Sequence, residues 1–158
     1  MKFMHLAPFC SLSLLVACGG GAAAGPTPGP TTVQPPTTSL EPTSFAEQVT
    51  VGQKLYGEHC ASCHGAGGEG SKGAPRVVDL KQGALPLDPP AGAKGRTSKF
   101  VTVADVATFV VKNMPPGRPA SLGESNYYSI LAFDLKANGI VLDKKLDGPL
   151  AASLKIPR

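Results

Sequence analysis

Gly52-Gln53-Lys54-Leu55-Tyr56-Gly57-Glu58-His59-Cys60-Ala61-Ser62-Cys63-His64-Gly65 is the stretch on which the reading of this chain turns. Gly52, Leu55, Tyr56 and His59 recur at i, i+3, i+4 and i+7, the spacing of one helix face. The pattern predicts a helix from about Val51 to Ala61, with Thr50 as N-cap and Gln53 completing a capping box. At its end stands Cys60-Ala61-Ser62-Cys63-His64. Two thiols three positions apart at a helix end reach two points on one planar ring. The imidazole that follows is then presented to a metal at the ring centre. C-x-x-C-H is the attachment motif for c-type haem.

The N-terminal side supplies the compartment. Lys2 precedes an apolar run from Leu6 to Ala17, too short to anchor stably across a bilayer. The run closes on Leu15-Val16-Ala17-Cys18, which resembles the lipobox of bacterial lipoproteins. That resemblance implies cleavage of residues 1–17 and lipidation of Cys18. It also implies a periplasm-side product on a Gram-negative membrane, and Gly19 after the cysteine favours the outer one. The alternative is ordinary cleavage after Ala22-Ala23-Ala24, leaving a soluble product. From Gly19 to Ser44 the chain holds six Pro, six Thr and five Gly, so 18–44 reads as a lipidated cysteine and its linker. Such a linker spans about 25 Å as a coil and about 80 Å extended.

The four cysteines are thereby accounted for. Cys10 leaves with the signal, Cys18 takes lipid, and Cys60 and Cys63 remain. An exported pair ordinarily forms a disulfide, but His64 directly after it favours haem. A thioredoxin-like pair needs a βαβ context that the pattern lacks. A zinc site needs further ligands, and the mature chain offers only His59, beside Cys60.

On the C-terminal side two more helices are predicted. Val103 to Asn113 has Thr102 and Asp105 as a cap pair and Val103, Val106, Ala107 and Val110 as its apolar stripe. Pro115 and Pro116 stop it and push Met114 out of helical geometry. Glu124 to Ala137 places Asn126, Ile130, Phe133 and Ala137 on one side, with Tyr127 and Leu131 beside them. Asn138-Gly139 is its stop. The forty or so residues between the first two helices are rich in Gly, Pro and Lys. A loop of that length is reasonable in a compact domain when it wraps a large group. The tail from Ile140 has no clear pattern; it packs back through Ile140 and Leu142, or frays.

Met114 is the sole methionine left once Met1 and Met4 depart with the signal. That makes it the candidate sixth ligand, with core filler as the other reading. A thioether favours ferrous iron and raises the reduction potential. The chain has no Trp, six Phe and three Tyr, so its own core is small and a porphyrin would supply missing apolar mass. The formal charge of +4, without a basic run longer than Lys144-Lys145, argues against nucleic acid as a partner.

The segments Gly52 to Tyr56, Cys60 to Gly65, Gly73-Ala74-Pro75, Val111 to Pro116 and Tyr128 to Phe133 follow one another in the order of a class I cytochrome c, which residues 46–140 resemble. The resemblance implies an all-α fold with three main helices around one covalently bound haem c. It implies a cytochrome c domain over 45–142 and a tail over 143–158. It places Gly52 at the crossing of the first and last helices, beside Tyr56 and Phe133. It has the Pro75 carbonyl accept from His64 Nδ1, and Gly123 departs from the usual cap of the last helix. The expected site is then Cys60 and Cys63 as thioethers, with His64 and Met114 on the iron. Arg76, Lys94, Arg96 and Lys99 are candidates for the propionates, and Lys72, Lys81 and Lys112 for steering an acidic partner.

The expected function is one-electron transfer between a redox donor and an acceptor by a carrier rather than an enzyme. No catalytic constellation assembles from His59 and His64. Two alternatives stand beside it. One is a cytochrome subunit of a larger dehydrogenase or oxidase. The other is a haem sensor or peroxidase in which Met114 lets go.

Overall fold

The computed structural model describes residues 41–93 and 95–158. The signal segment, Cys18 and nearly all of the linker fall outside the described residues, as does Lys94. Among the described residues there are helices and no strand, with one isolated bridge between Thr102 and Lys155. The order is α1 (Phe45–His59), α2 (Ala61–His64), a 3₁₀ turn (Leu80–Gln82), α3 (Val103–Asn113), α4 (Glu124–Ala137) and α5 (Gly148–Ser153). None of these helices is long and apolar enough to cross a membrane.

Helix α1 starts at Phe45, six residues ahead of the expected Val51. Its cap is Ser44, whose hydroxyl accepts from the Glu47 amide, while the Glu47 carboxylate accepts from Thr43 N and Oγ1 at 2.7 and 2.8 Å. Thr50, expected to cap, sits inside the helix and bonds back to the Ala46 carbonyl. The extra turn forms because Phe45 and Gln48 have something to pack on. Gln48 is fully buried; its Nε2 donates to the Leu146 carbonyl at 2.9 Å, and its Oε1 accepts from the Leu146 amide at 2.7 Å. The helix ends at His59, two residues sooner than expected, and the C-x-x-C-H turn is a separate one-turn helix.

Helix α3 matches its expected bounds. Thr102 and Asp105 form the full capping box, and the helix ends at Asn113 with Met114 already extended. Helix α4 also matches, with Gly123 at its N-cap and no side-chain cap bond. Its buried face differs from expectation at both ends, where Asn126 and Ala137 are exposed. Asn126 donates to the Leu122 carbonyl, while Tyr127, Ile130, Leu131 and Leu135 face the core.

Helices α1 and α4 meet most closely at Gly52. A Cβ there would lie 1.8 Å from the Ser129 carbonyl oxygen, so only a glycine lets the two backbones come this near. One turn along, the Tyr56 and Phe133 rings pack at a tilt of 47° with centroids 5.1 Å apart.

The core runs on past residue 142, where the sequence pattern ended. Leu146, Ala151 and Ile156 are buried in the same cluster as Phe45, Val103 and Leu131. Asp147 caps α5, and the tail then bonds to the start of α3 through Val103 N to Leu154 O and Ile156 N to Val101 O. The long loop is fixed by two arginines. Arg96 donates to the carbonyls of Ser98, Pro86 and Leu87, and its guanidinium lies 3.4 Å above the Phe100 ring. Arg158 donates to the carbonyls of Leu85 and Phe100.

Candidate haem site

A single helical turn gathers the motif. The amides of Cys63 and His64 both bond to the Cys60 carbonyl, at 3.1 and 2.9 Å, which puts the two cysteines on one side of the turn. Cys60 is half-buried, Cys63 is exposed, and both carry free thiols. Burial, then the charges of Asp134 and Cys63, push the Cys60 thiol up to about 11. It therefore stays protonated near neutral pH, unlike the acidic thiol that disulfide exchange requires. Among the described residues no three His, Cys, Asp or Glu side chains cluster as a zinc site needs.

After His64 the chain turns back tightly. The Gly70 amide bonds to the His64 carbonyl at 2.7 Å. Gly70 has φ +85°, and a Cβ there would meet the Arg76 backbone nitrogen at 2.7 Å. This turn carries Pro75 over the imidazole, and His64 Nδ1 lies 2.7 Å from the Pro75 carbonyl. A carbonyl only accepts, so Nδ1 bears the proton and Nε2 keeps its lone pair for a metal. Tyr56 secures the same turn through its hydroxyl, which donates to the Gly65 carbonyl at 3.0 Å.

His64 and Met114, fifty positions apart in sequence, line one cavity of about 690 Å³. Met114 is placed by backbone contacts on both sides. Its amide bonds to Val110 O at 2.8 Å, and its carbonyl accepts from the Tyr127 hydroxyl at 2.7 Å. In the sequence Tyr127 lies with Leu131 beside the main face of the last helix, and nothing local marks it as the holder of Met114. His59 is outside the lining and lies 3.9 Å from Glu58.

The cavity suits a large apolar ring with acidic substituents. Val77, Leu85, Phe100, Val106, Phe109 and Val110 supply its apolar wall. Lys72, Arg76 and Arg96 also line it, and no Asp or Glu does among the described residues. Arg96 is buried, and burial together with the nearby Arg158 charge lowers its pKa. An anion in the cavity would relieve that strain on the guanidinium. Of the other basic candidates, Lys99 pairs with Asp88 at 3.0 Å outside the lining, and Lys81 and Lys112 are exposed.

An all-α fold with a C-x-x-C-H turn and a histidine and methionine facing one apolar cavity defines a class I c-type cytochrome, whose cofactor is covalently bound haem c. More narrowly, the chain belongs to the family described as cytochrome c oxidase, cbb3-type, subunit III, whose model matches residues 47–133. Among solved structures it is similar to the sulfane dehydrogenase SoxCD from Paracoccus pantotrophus, at 28% identity and a TM-score of 0.51. That similarity covers 69% of this chain and 53% of the other, so the chain spans about half the length of its structural relative. Among curated proteins, no relative matches.

Proposed function

We propose that this chain carries one haem c, attached at Cys60 and Cys63 and ligated by His64 and Met114, and passes single electrons between redox proteins. The observation that carries this reading is the shared cavity: His64, oriented by Pro75, and Met114, held by Tyr127, both open into it. When bound, the haem supplies a one-electron couple. The residues do the rest. Pro75 fixes the imidazole tautomer and raises its basicity as a ligand. The thioether of Met114 favours the reduced state. The apolar wall keeps water from the iron, and Lys72, Arg76 and Arg96 offset the charge of the carboxylates. Two protein ligands leave no position for a substrate, so the chain acts as a carrier.

A second reading has this domain as the cytochrome subunit of a larger dehydrogenase or oxidase. Its support is the similarity to SoxCD, which covers only 53% of the matched chain, and the subunit named in the family's description. In either case we place the domain on the periplasm side, held to a membrane by lipid on Cys18 and by the Pro/Thr/Gly-rich linker that follows. Confinement to a surface raises the effective concentration of partners.

The test is an optical redox titration of the mature protein with its intact mass. A haem adduct, a methionine charge-transfer band in the ferric protein and a diacylated Cys18 are expected. Met114→Ala should lower the potential and admit carbon monoxide. An unchanged potential would remove Met114 from the iron, and a mass without porphyrin would overturn the reading. A stable co-purifying partner would favour the subunit over the free carrier.

A further inference from the structure

Asp134 on α4 is a carboxyl the electron-transfer reading does not use. Its Oδ1 is buried and has no hydrogen-bond partner, and the same is true of Asn138 Oδ1, one turn further along the helix. Turning the Asn138 amide over does not repair this. Its Nδ2 already donates to the Val77 carbonyl at 3.0 Å and to the Asp134 backbone carbonyl at 2.9 Å. Two buried acceptors on one helix face therefore lack a donor, an arrangement that is costly if left so. An ionised carboxylate brings only acceptors; a protonated one brings an O–H.

The surroundings hold nothing to stabilise a negative charge. From α1 and the residue ending it, Tyr56 and Cys60 face Asp134, and its charge raises the pKa of both. From the loop, Glu69 acts on Tyr56 with the same sign, and Val77 contributes only its carbonyl. No Lys or Arg among the described residues draws Asp134 down, and burial pushes its pKa up to about 8. Cys60 is where the haem joins the chain on the reading above, so the carboxyl lies near the attachment point.

We propose that Asp134 is a proton-binding site coupled to electron transfer: it takes up a proton when the haem gains an electron and releases it on oxidation. The charges balance. One electron arrives from the redox donor, one proton arrives from bulk water, and the carboxylate becomes a carboxylic acid. The coupling follows from Coulomb's law, since the extra positive charge of the oxidised centre favours the carboxylate and its loss favours the acid. Thermodynamic linkage makes the effect reciprocal, so the protonation state of Asp134 sets the potential.

This inference rests on the haem reading, and the experiment separates the two. The potential of the full-length holo-protein is measured from pH 6 to 10 for the natural chain, Asp134→Asn and Asp134→Leu. The leucine variant guards against loss of fold, because it places an apolar group of similar size in an apolar site. The potential of the natural chain should fall as pH rises through the region of 8, no more steeply than about 59 mV per pH unit, the limit for one proton and one electron. Both variants should lose that slope. Redox-difference infrared should show the carbonyl stretch of a protonated acid in the reduced natural chain and not in Asp134→Asn. A flat profile, or an equal slope in the variants, would overturn the proposal and assign any coupling to the haem's own carboxylates. Absence of any optical redox transition would overturn the haem reading and this inference with it.

Discussion

Placing one methyl group at Gly52 should destabilise the fold, and placing the same group at Gly57 should strengthen it. Both residues lie in α1, so both gain the intrinsic helix preference of Ala over Gly, about 0.8 kcal/mol. Their surroundings differ. At Gly52 the new Cβ would fall 1.8 Å from the Ser129 oxygen and 2.5 Å from its carbonyl carbon, where ordinary contact begins at 3.4 Å. The helices must part by about 1.6 Å, the difference between the ordinary and the built distance. The obstacle is backbone in the middle of α4 and has no rotamer to adopt. Overpacking costs about 3 kcal/mol at the upper end of its usual range, and a separation this large forfeits more than half of the local dispersion contacts. The net loss is about 2 kcal/mol, or a Tm drop of about 8 °C for a domain of this size. At Gly57 nothing lies within 4 Å of the built Cβ, and the expected change is a rise of about 3 °C. Thermal unfolding of the holo-proteins followed by far-UV circular dichroism reads both. A Gly52→Ala protein melting within about 2 °C of the natural chain, or a Gly57→Ala protein falling with it, would refute the close approach of α1 and α4 at this glycine.

Gln48→Ala leaves the amide and the carbonyl of Leu146 buried without partners, and should cost about 2–4 kcal/mol in denaturant unfolding. Tyr127→Phe removes the donor to the Met114 carbonyl; it should cost about 1 kcal/mol and weaken the ferric methionine band without abolishing the fold. Because the folded-state pKa of Asp134 is raised to about 8 from an ordinary 3.8, the native protein retains a proton that the unfolded chain has already released. Its contribution to stability is therefore complete below about pH 4 and is lost as pH rises through 8. Urea midpoints measured from pH 5 to 9 should fall in the natural chain and change less in Asp134→Leu.

Haem c, the helix that ends at Met114 and the reciprocal cap of α3 could all be read from the chain, because each depends on neighbours in sequence. C-x-x-C-H is one helical turn, Pro115-Pro116 stops a helix wherever it stands, and Thr102 with Asp105 needs nothing beyond its own first turn. Met114 stood out as the candidate sixth ligand by elimination, as the sole methionine left after the signal, and the fold brings it to the cavity that His64 lines.

The tertiary structure decided what depends on distant partners. Thr50-x-x-Gln53 and Ser44-x-x-Glu47 are the same capping signal six residues apart, and the chain uses the earlier one. The choice lies with Leu146, 98 residues away, whose backbone gives Gln48 a buried partner and so makes another turn of α1 worth ordering. The same holds for the tail, unpatterned in sequence, whose Leu146, Ala151 and Ile156 join the core, and for Asp134, whose Oδ1 the fold buries without a partner. Local signals state which turns can form; burial, which only the packed chain possesses, selects among them and sets the chemistry of the groups enclosed.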